Sequence, residues 1–411
     1  MRILMLTSEF APVRGGIGTY AREVARAASA LGADIEVIAP DYGRDNTVED
    51  RRLPFEVRRF AGGLHSMRDL PSKIRLARRS MASGQYDVVH AADWPFFIPV
   101  ALSQHLTDGR IFMSVHGTEI NETQTLLKRL AIKCTGVFGL RTEIIANSRY
   151  TGELFRERFA VEAQRVHAIP LGVSEFWFGE RKDRAATRAA YGIPPERIVM
   201  VTVARITRRK GHPATLAALS DLSRELRNHL TWLVIGPDGE ADYVRELRSL
   251  AGSISCDMRF MGALPDHEIR DIYGAADFFC LTGVHDPSGR VEGFGLVYLE
   301  AGAGRLPSVA TSIGGVPDAV LAGRSGLLVQ SSIDDIARAI TKLAENADLR
   351  SALGAGALAH ARELSWARCA ARTYGLQPAA RPSHRIPDHV PPAIQPREPA
   401  SAIKAYSASS P

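Results

Sequence analysis

Short, almost wholly apolar runs alternate with stretches whose apolar positions recur every three or four residues, over nearly all of the 411-residue chain. The short runs predict strands at 3–6, 35–39, 56–60, 87–90, 111–115, 144–146 and 166–169. The longer period predicts helices between most of them, as at 18–31, 72–82 and 123–138. Strands that are apolar on both faces and separated by helices belong to a parallel sheet covered on each side. The rhythm pauses at 171–196, expected to be irregular from Gly172, Gly179, Gly192 and the Pro194-Pro195 pair. It restarts with strands at 198–204, 232–235, 258–261, 278–281, 308–310 and 326–329. The pattern is α/β, two doubly wound units joined by a linker. A helical pattern at 365–374 closes the folded part. Eight of the 34 residues from Pro378 onward are proline. Such a segment buries too little apolar surface to offset its ordering entropy, and a disordered Pro-rich tail is expected over 377–411.

Length independently favours two domains. Hydrophobic residues make up 45% of the chain and charged residues 23%, the balance of a globular protein in water. The apolar run that ends at Thr7-Ser8-Glu9 is too short for the core of a signal peptide. No stretch approaches the roughly 20 apolar residues that span a bilayer. The formal charge of +6 suits an anionic partner without choosing among a nucleotide diphosphate, an acidic membrane and a nucleic acid. Cys134, Cys256, Cys280 and Cys369 lie far apart with no CxxC pair, so neither a zinc site nor a disulfide framework is expected, and a reducing cytoplasm is the simplest home.

The first strand leads through APVRGGIGTY at 11–20 into a helix. Glycines there let the backbone approach an anion, and the helix start turns unpaired N–H groups toward it. The segment is not the GxGxxG of a dinucleotide fold. Asp41 nevertheless stands where a ribose-binding acid would, which keeps a dehydrogenase and a ligand-free turn as alternatives. In the second unit, VARITRRKG at 203–211 puts Arg205 and Lys210 at the carboxyl end of a strand, the edge where open α/β sheets bind ligands. Two cations ahead of a helix fit a diphosphate. The segment VEGFGLVYLEA at 291–301 brackets a helix start with Glu292 and Glu300. Gly293 and Gly295 clear space, and the N–H groups of Phe294, Gly295 and Leu296 are expected to face the ligand. Eight residues at about 1.5 Å each cover the reach from a transferred sugar, at Glu292, to a nucleotide ribose, at Glu300. Gly314 and Gly315 offer a further anion-friendly turn.

In order along the chain, GGIGTY (15–20), DVVHAADWP (87–95), SVHGTE (114–119), IIANSRYT (144–151), IPLGV (169–173), VARITRRKG, RFMGALPDHEI (259–269), VEGFGLVYLEA and ATSIGGVPDAV (310–320) resemble glycosyltransferase family 4. That family comprises retaining enzymes of the GT-B fold, with two doubly wound Rossmann-like domains facing each other across a cleft. The resemblance implies an acceptor-side domain at 1–173, joined by a helix at 365–376 that crosses back, and a nucleotide-sugar domain at 174–364. It implies that Arg205 and Lys210 bind the diphosphate, that Glu292 and Glu300 are the paired glutamates, and that His116, in a His-Gly turn, lies near the sugar. Gly16 would contact the diphosphate from across the cleft, and the base would lie near Ala263 and Leu264. Ala204, Leu171 and the Gly304-Arg305 pair depart from the usual Gly, Asn and Cys-Gly. The long loop at 285–290 is similar to members that mannosylate phosphatidylinositol lipids, a hint toward GDP-mannose.

The expected reaction is transfer of a hexose, with retention, from a nucleotide diphosphate sugar to a hydroxyl of a glycan or lipid-linked acceptor. No cofactor, no metal and no nucleic acid are expected. The chain has no DxD motif, and its two cations would do the metal's work. The alternatives are a nucleotide-sugar epimerase of the same fold and a non-catalytic sugar-nucleotide-binding protein. The runs 73–79 and 126–133 mix cations with apolar residues, which adds peripheral contact with an anionic membrane, on the inner face of the plasma membrane.

Overall fold

The structure is a computed structural model that describes residues 1–13, 15–63, 67–117, 120, 126–286 and 289–377. The expected tail lies outside these from 378 onward. Among the described residues, seven parallel strands form the first sheet: β1 (Arg2–Leu6), β2 (Asp34–Pro40), β3 (Glu56–Phe60), β4 (Val88–Ala91), β5 (Arg110–Val115), β6 (Thr142–Ala146) and β7 (Val166–Ala168), in the order β3-β2-β1-β4-β5-β6-β7. Six more form the second: β8 (Ile198–Val203), β9 (Leu230–Ile235), β10 (Asp257–Gly262), β11 (Phe278–Leu281), β12 (Ser308–Thr311) and β13 (Gly326–Val329), in the order β10-β9-β8-β11-β12-β13. Both are Rossmann-like sheets. In each, the strand order reverses beside the first strand, at β1/β4 and at β8/β11, and the crevice that opens beyond those carboxyl ends is where such sheets take ligands.

Burial explains the strand chemistry. Central strands β4 and β9 are buried at every residue, whereas edge strand β3 alternates exposed and half-buried positions and carries Arg58 and Arg59. The helices that bear on the site are α1 (Gly16–Ala30), α2 (Leu70–Ala82), α3 (Leu126–Thr135), α4 (Arg149–Arg158), α5 (His212–Ser220), α6 (Asp266–Ala275), α7 (Leu296–Ala303) and α8 (Trp366–Tyr374). The expected linker is less irregular than its glycines imply. Asp183 caps a helix at Arg184–Ala190, which packs on α6. Lys73 on α2 is buried with its ammonium 5.8 Å from the Phe96 ring centre, leaving Arg75, Arg78 and Arg79 as the exposed cations of that run. Four residues of the other run, 126–129, have side chains outside the described set. Among the described residues, no helix is long and apolar enough to cross a membrane.

One apolar cluster is continuous through both sheets, from Ile3 and Tyr20 through Val173 and Trp366 to Phe279 and Tyr298. The chain passes between the sheets twice, side by side. The N–H of Val173 donates to the Leu364 carbonyl at 2.9 Å, and a Cβ on Gly172 would lie 2.3 Å from the Trp366 nitrogen. Only glycine lets the two passes approach so closely. Beyond that point α8 buries Trp366, Cys369, Ala370, Thr373 and Tyr374, the i, i+3, i+4, i+7, i+8 stripe of an amphipathic helix, and packs on α1. Ser365 caps its start and Gly375, at φ 72°, ends it.

Candidate active site

A cavity of about 550 Å³ opens between the carboxyl ends of the two sheets, and another of about 700 Å³ continues from it, sharing Gly15, Arg205, Leu296 and Glu300. The first holds Gly16, His116, Arg205, Lys210, Glu292, Phe294, Gly295, Leu296 and Glu300 together. The second adds Ala263 and Leu264 beside Glu300. The residues expected to contact the donor therefore face one cleft. Asp41 does not. Its Oδ1 accepts from the N–H groups of Gly43 (2.9 Å) and Gly62 (3.2 Å), which hold its carboxyl below the usual range, and it caps a loop elsewhere.

On the second-domain side, the loop after β8 delivers the cations. Arg205 is exposed to the cleft, while Lys210 Nζ sits 2.5 Å and Arg209 Nη1 3.3 Å from Glu292 Oε2. Gly211, at φ 72°, lets that loop turn into α5 where any Cβ would strike the Thr282 carbonyl at 1.7 Å. Burial by itself would raise the Glu292 carboxyl. Lys210, with Arg209 behind it, reverses the direction and holds it below the ordinary carboxylate range. Among the described residues, Glu300, on α7, has no such partner. Burial first, then the charge of Asp266, pushes its carboxyl up to about 8.

The glutamate pair differs from the helical expectation. Helix α7 begins at Leu296, with Gly295 as its N-cap at φ 93°, so residues 292–295 form a loop and helical rise does not set the Glu292–Glu300 separation. Gly314 and Gly315 do not offer an anion turn either. They lie under that loop, where the Gly315 N–H donates to the Glu292 carbonyl at 2.9 Å and a Cβ on Gly315 would lie 1.9 Å from the Gly293 carbonyl oxygen.

On the first-domain side, α1 starts at Gly16 after extended Gly15, so its first N–H groups open on the cavity. His116 Nε2–H donates to the Ala92 carbonyl at 2.8 Å, and its ring meets Tyr20 edge-on at 4.9 Å. Behind Tyr20 runs a buried polar chain. The Tyr20 hydroxyl is 2.7 Å from Ser114 Oγ, Ser114 Oγ is 2.7 Å from His90 Nε2, and His90 Nδ1 is 2.8 Å from the Tyr374 hydroxyl on α8. Burial, with His116 adding to it, lowers His90 to about 3, which keeps it neutral within that chain. The domains touch where Gly293 meets the His116 carbonyl and where the Arg149 N–H and Nε both reach Asp318 at 2.6 Å.

Arg209, inside VARITRRKG, and Glu9, Asn147, Asp286 and Arg290 also line the cavity, although nothing in the sequence marks them as site residues. Asp93 is likewise unmarked. Asp93 Oδ2 accepts from the Ser8 N–H (2.7 Å) and Ser8 Oγ (2.6 Å), and burial raises its carboxyl to about 6 against those bonds.

Two Rossmann-like domains that close glycine turns and the cations Arg205, Arg209, Lys210 and Arg290 on one cleft have the arrangement of a GT-B glycosyltransferase. The protein-family description "Glycosyltransferase Family 4" matches residues 14–175, and "Glycosyl transferases group 1" matches residues 183–359. The chain is 27% identical over 376 residues to a GDP-mannose-dependent monoacylated alpha-(1-6)-phosphatidylinositol monomannoside mannosyltransferase of Corynebacterium glutamicum, covering 89% of this chain and 94% of that protein. It is 26% identical over 435 residues to a D-inositol 3-phosphate glycosyltransferase of Corynebacterium aurimucosum, covering 94% of this chain and 98% of that one. Among solved structures, the Anabaena HepE protein in complex with UDP and glucose superposes with a TM-score of 0.72 at 21% identity, over 91% of this chain and 98% of that one. The chain belongs to glycosyltransferase family 4, and it is an enzyme of the glycosyltransferase class.

Proposed function

We propose that this glycosyltransferase moves a hexose, with retention at the anomeric carbon and without a metal, from a nucleotide diphosphate sugar to a hydroxyl of a polyol-bearing lipid or glycan. One observation carries the reading. Arg205, Arg209 and Lys210 from one domain and the start of α1 from the other converge on a cavity that also holds Glu292 and His116. Arg205 and Lys210 would hold the diphosphate with the N–H groups of Gly16 and of the α7 start, Glu292 and His116 the sugar, and Glu300 the ribose, with the base against Ala263 and Leu264. The acceptor oxygen bonds to the anomeric carbon on the face from which the diphosphate departs. The bond from that carbon to the phosphate oxygen breaks, and the acceptor proton passes to the leaving diphosphate. The enzyme's share is electrostatic, since the cations and helix N-termini stabilise charge that grows on the diphosphate. GDP-mannose is the favoured donor, because the Corynebacterium glutamicum relative is named for it.

Turnover of GDP-mannose, UDP-glucose, UDP-galactose and UDP-N-acetylglucosamine, each with and without acceptor, tests this. Product that requires acceptor and survives EDTA is expected. Isomerised donor without acceptor would establish an epimerase, binding without turnover a non-catalytic protein, and loss in EDTA restored by manganese a metal enzyme. Exposed Arg75, Arg78 and Arg79, with Leu130 57% exposed near Lys133, support peripheral docking on an anionic membrane at its cytoplasmic face. Sedimentation with anionic vesicles at low salt is expected, and failure to sediment ends that part of the proposal.

A further inference from the structure

Among the described residues, the first domain contributes a single carboxylate to the 550 Å³ cavity, that of Glu9 just past the end of β1, whereas its Glu23, Glu49 and Asp50 line only the larger one that continues from it. The Glu9 main chain is pinned on both sides. The Glu9 N–H donates to Thr7 Oγ1 at 3.2 Å, the Phe10 N–H donates to the Tyr42 hydroxyl at 3.0 Å, and the preceding Ser8 is clamped on Asp93. The carboxylate itself accepts no hydrogen bond and forms no ion pair with a described residue. It leans over the glycine turn, where a Cβ on Gly15 would lie 2.7 Å from Glu9 Oε2. Burial raises the Glu9 carboxyl, and His116 and Arg205 act in the other direction, so it stands within electrostatic reach of both the sugar side and the phosphate side of the cleft.

The other carboxylates in this cavity have roles or partners. Glu292 is held by Lys210 and Arg209, Glu300 faces the ribose end, Glu240 has Arg208 at 3.8 Å, and Asp286 has Arg290 at 4.0 Å. A carboxylate cannot serve a diphosphate, which it repels. It serves hydroxyl groups, which donate to it, and the molecule that enters from the first-domain side with hydroxyls to donate is the acceptor. We propose that Glu9 binds the acceptor. On this assignment it accepts hydrogen bonds from neighbouring hydroxyls of a cyclitol or hexose ring and so selects which hydroxyl attacks. The inference rests on the transferase reading above and adds to it the residue that holds the second substrate.

The test compares the unaltered protein with Glu9→Ala and Glu9→Gln, using GDP-mannose with myo-inositol, D-inositol 3-phosphate and phosphatidylinositol monomannoside. Loss of hydrogen bonds to a charged group is expected to raise the acceptor KM about 10- to 100-fold in Glu9→Ala. Glu9→Gln, which keeps the shape, is expected to show a smaller rise, and the donor KM should hold in both. Hydrolysis of the donor in acceptor-free buffer reads the donor half of the site alone, and transfer should fall far more than hydrolysis does. An unchanged acceptor KM in both variants, or equal loss of transfer and hydrolysis, overturns the assignment. An unaltered protein that hydrolyses donor but transfers to none of the three acceptors overturns the polyol assignment. One that turns over no donor at all overturns the transferase reading first.

Discussion

Glu292 and Glu300 are both largely enclosed carboxyls in one cleft, yet their surroundings drive them apart. Lys210 and Arg209 keep Glu292 charged, while burial and Asp266 push Glu300 up to about 8. Removing Lys210 therefore takes away the proposed diphosphate partner and also the closest cation holding Glu292 charged. Lys210→Ala is expected to lower kcat/KM about 100- to 1,000-fold, as loss of one preorganised charge-stabilising group does, measured by steady-state kinetics at saturating acceptor. Glu300 makes a prediction of the opposite kind. Its carboxyl is raised, so the folded state binds the proton more tightly than the unfolded chain, and stability falls as pH climbs from the ordinary 4.5 toward 8. Relative to Glu300→Gln, which cannot titrate, the parent's thermal midpoint should drop across that window. A constant difference between the two over the window counts against a neutral Glu300. Arg205 and Lys210 were legible in the sequence because a strand end followed by a helix start fixes where a loop's cations go. Arg209 was not, because nothing in three successive basic residues says which turn inward. Glu9 was hidden by looking like the polar end of a strand.

Elements were more legible than side chains. Every strand of both sheets was anticipated, most of them as apolar runs because a strand covered on both faces is largely apolar, although edge strand β3 kept only Val57 and Phe60 of that pattern. The helix at Arg184–Ala190 was missed because its few residues lie among glycines and prolines that read as linker. The start of α7 was placed early because Gly293 and Gly295 look alike in sequence and do different work. Gly295 turns the chain at φ 93°, whereas Gly293 lies where a Cβ would come 2.0 Å from the His116 carbonyl oxygen. That contact joins the loop before α7 to the turn after β5, and a carbonyl fixed by Asn147 Nδ2 at 3.1 Å has little room to yield. Gly293→Ala is expected to cost about 1–3 kcal/mol by overpacking, with a lower thermal midpoint and loss of activity together. Gly16 gives the contrast, because a Cβ there meets nothing within 4 Å. Gly16→Ala should leave the midpoint unchanged and raise the donor KM, because the space it fills is the one proposed for the donor. Equal effects of the two substitutions on stability would show that Gly16 is structural.

At the scale of the molecule, the cleft depends on the last helix among the described residues. Helix α8 packs on α1, and its Tyr374 ends the polar chain through His90 and Ser114 to Tyr20, whose ring meets that of His116. Tyr374→Phe keeps the ring and strands His90 Nδ1 in a buried site, at an expected cost of about 1–3 kcal/mol, read as a lower urea midpoint. If the chain only fills space, kcat should hold. If it also orients His116, kcat should fall beyond what stability explains, measured well below the unfolding transition. The two-domain plan was readable from the way the strand rhythm stops and restarts, but this coupling was not, since it joins residues 284 positions apart through one hydroxyl. The same distance has a consequence during synthesis. Helix α1 ends at Ala30 and its cover begins at Trp366, so at about 5–20 residues per second the first domain waits roughly 17 s to over a minute for its last piece. Through that interval Tyr20 and its apolar neighbours stand open to whatever the ribosome's surroundings offer. The second domain is translated whole before the first can be finished.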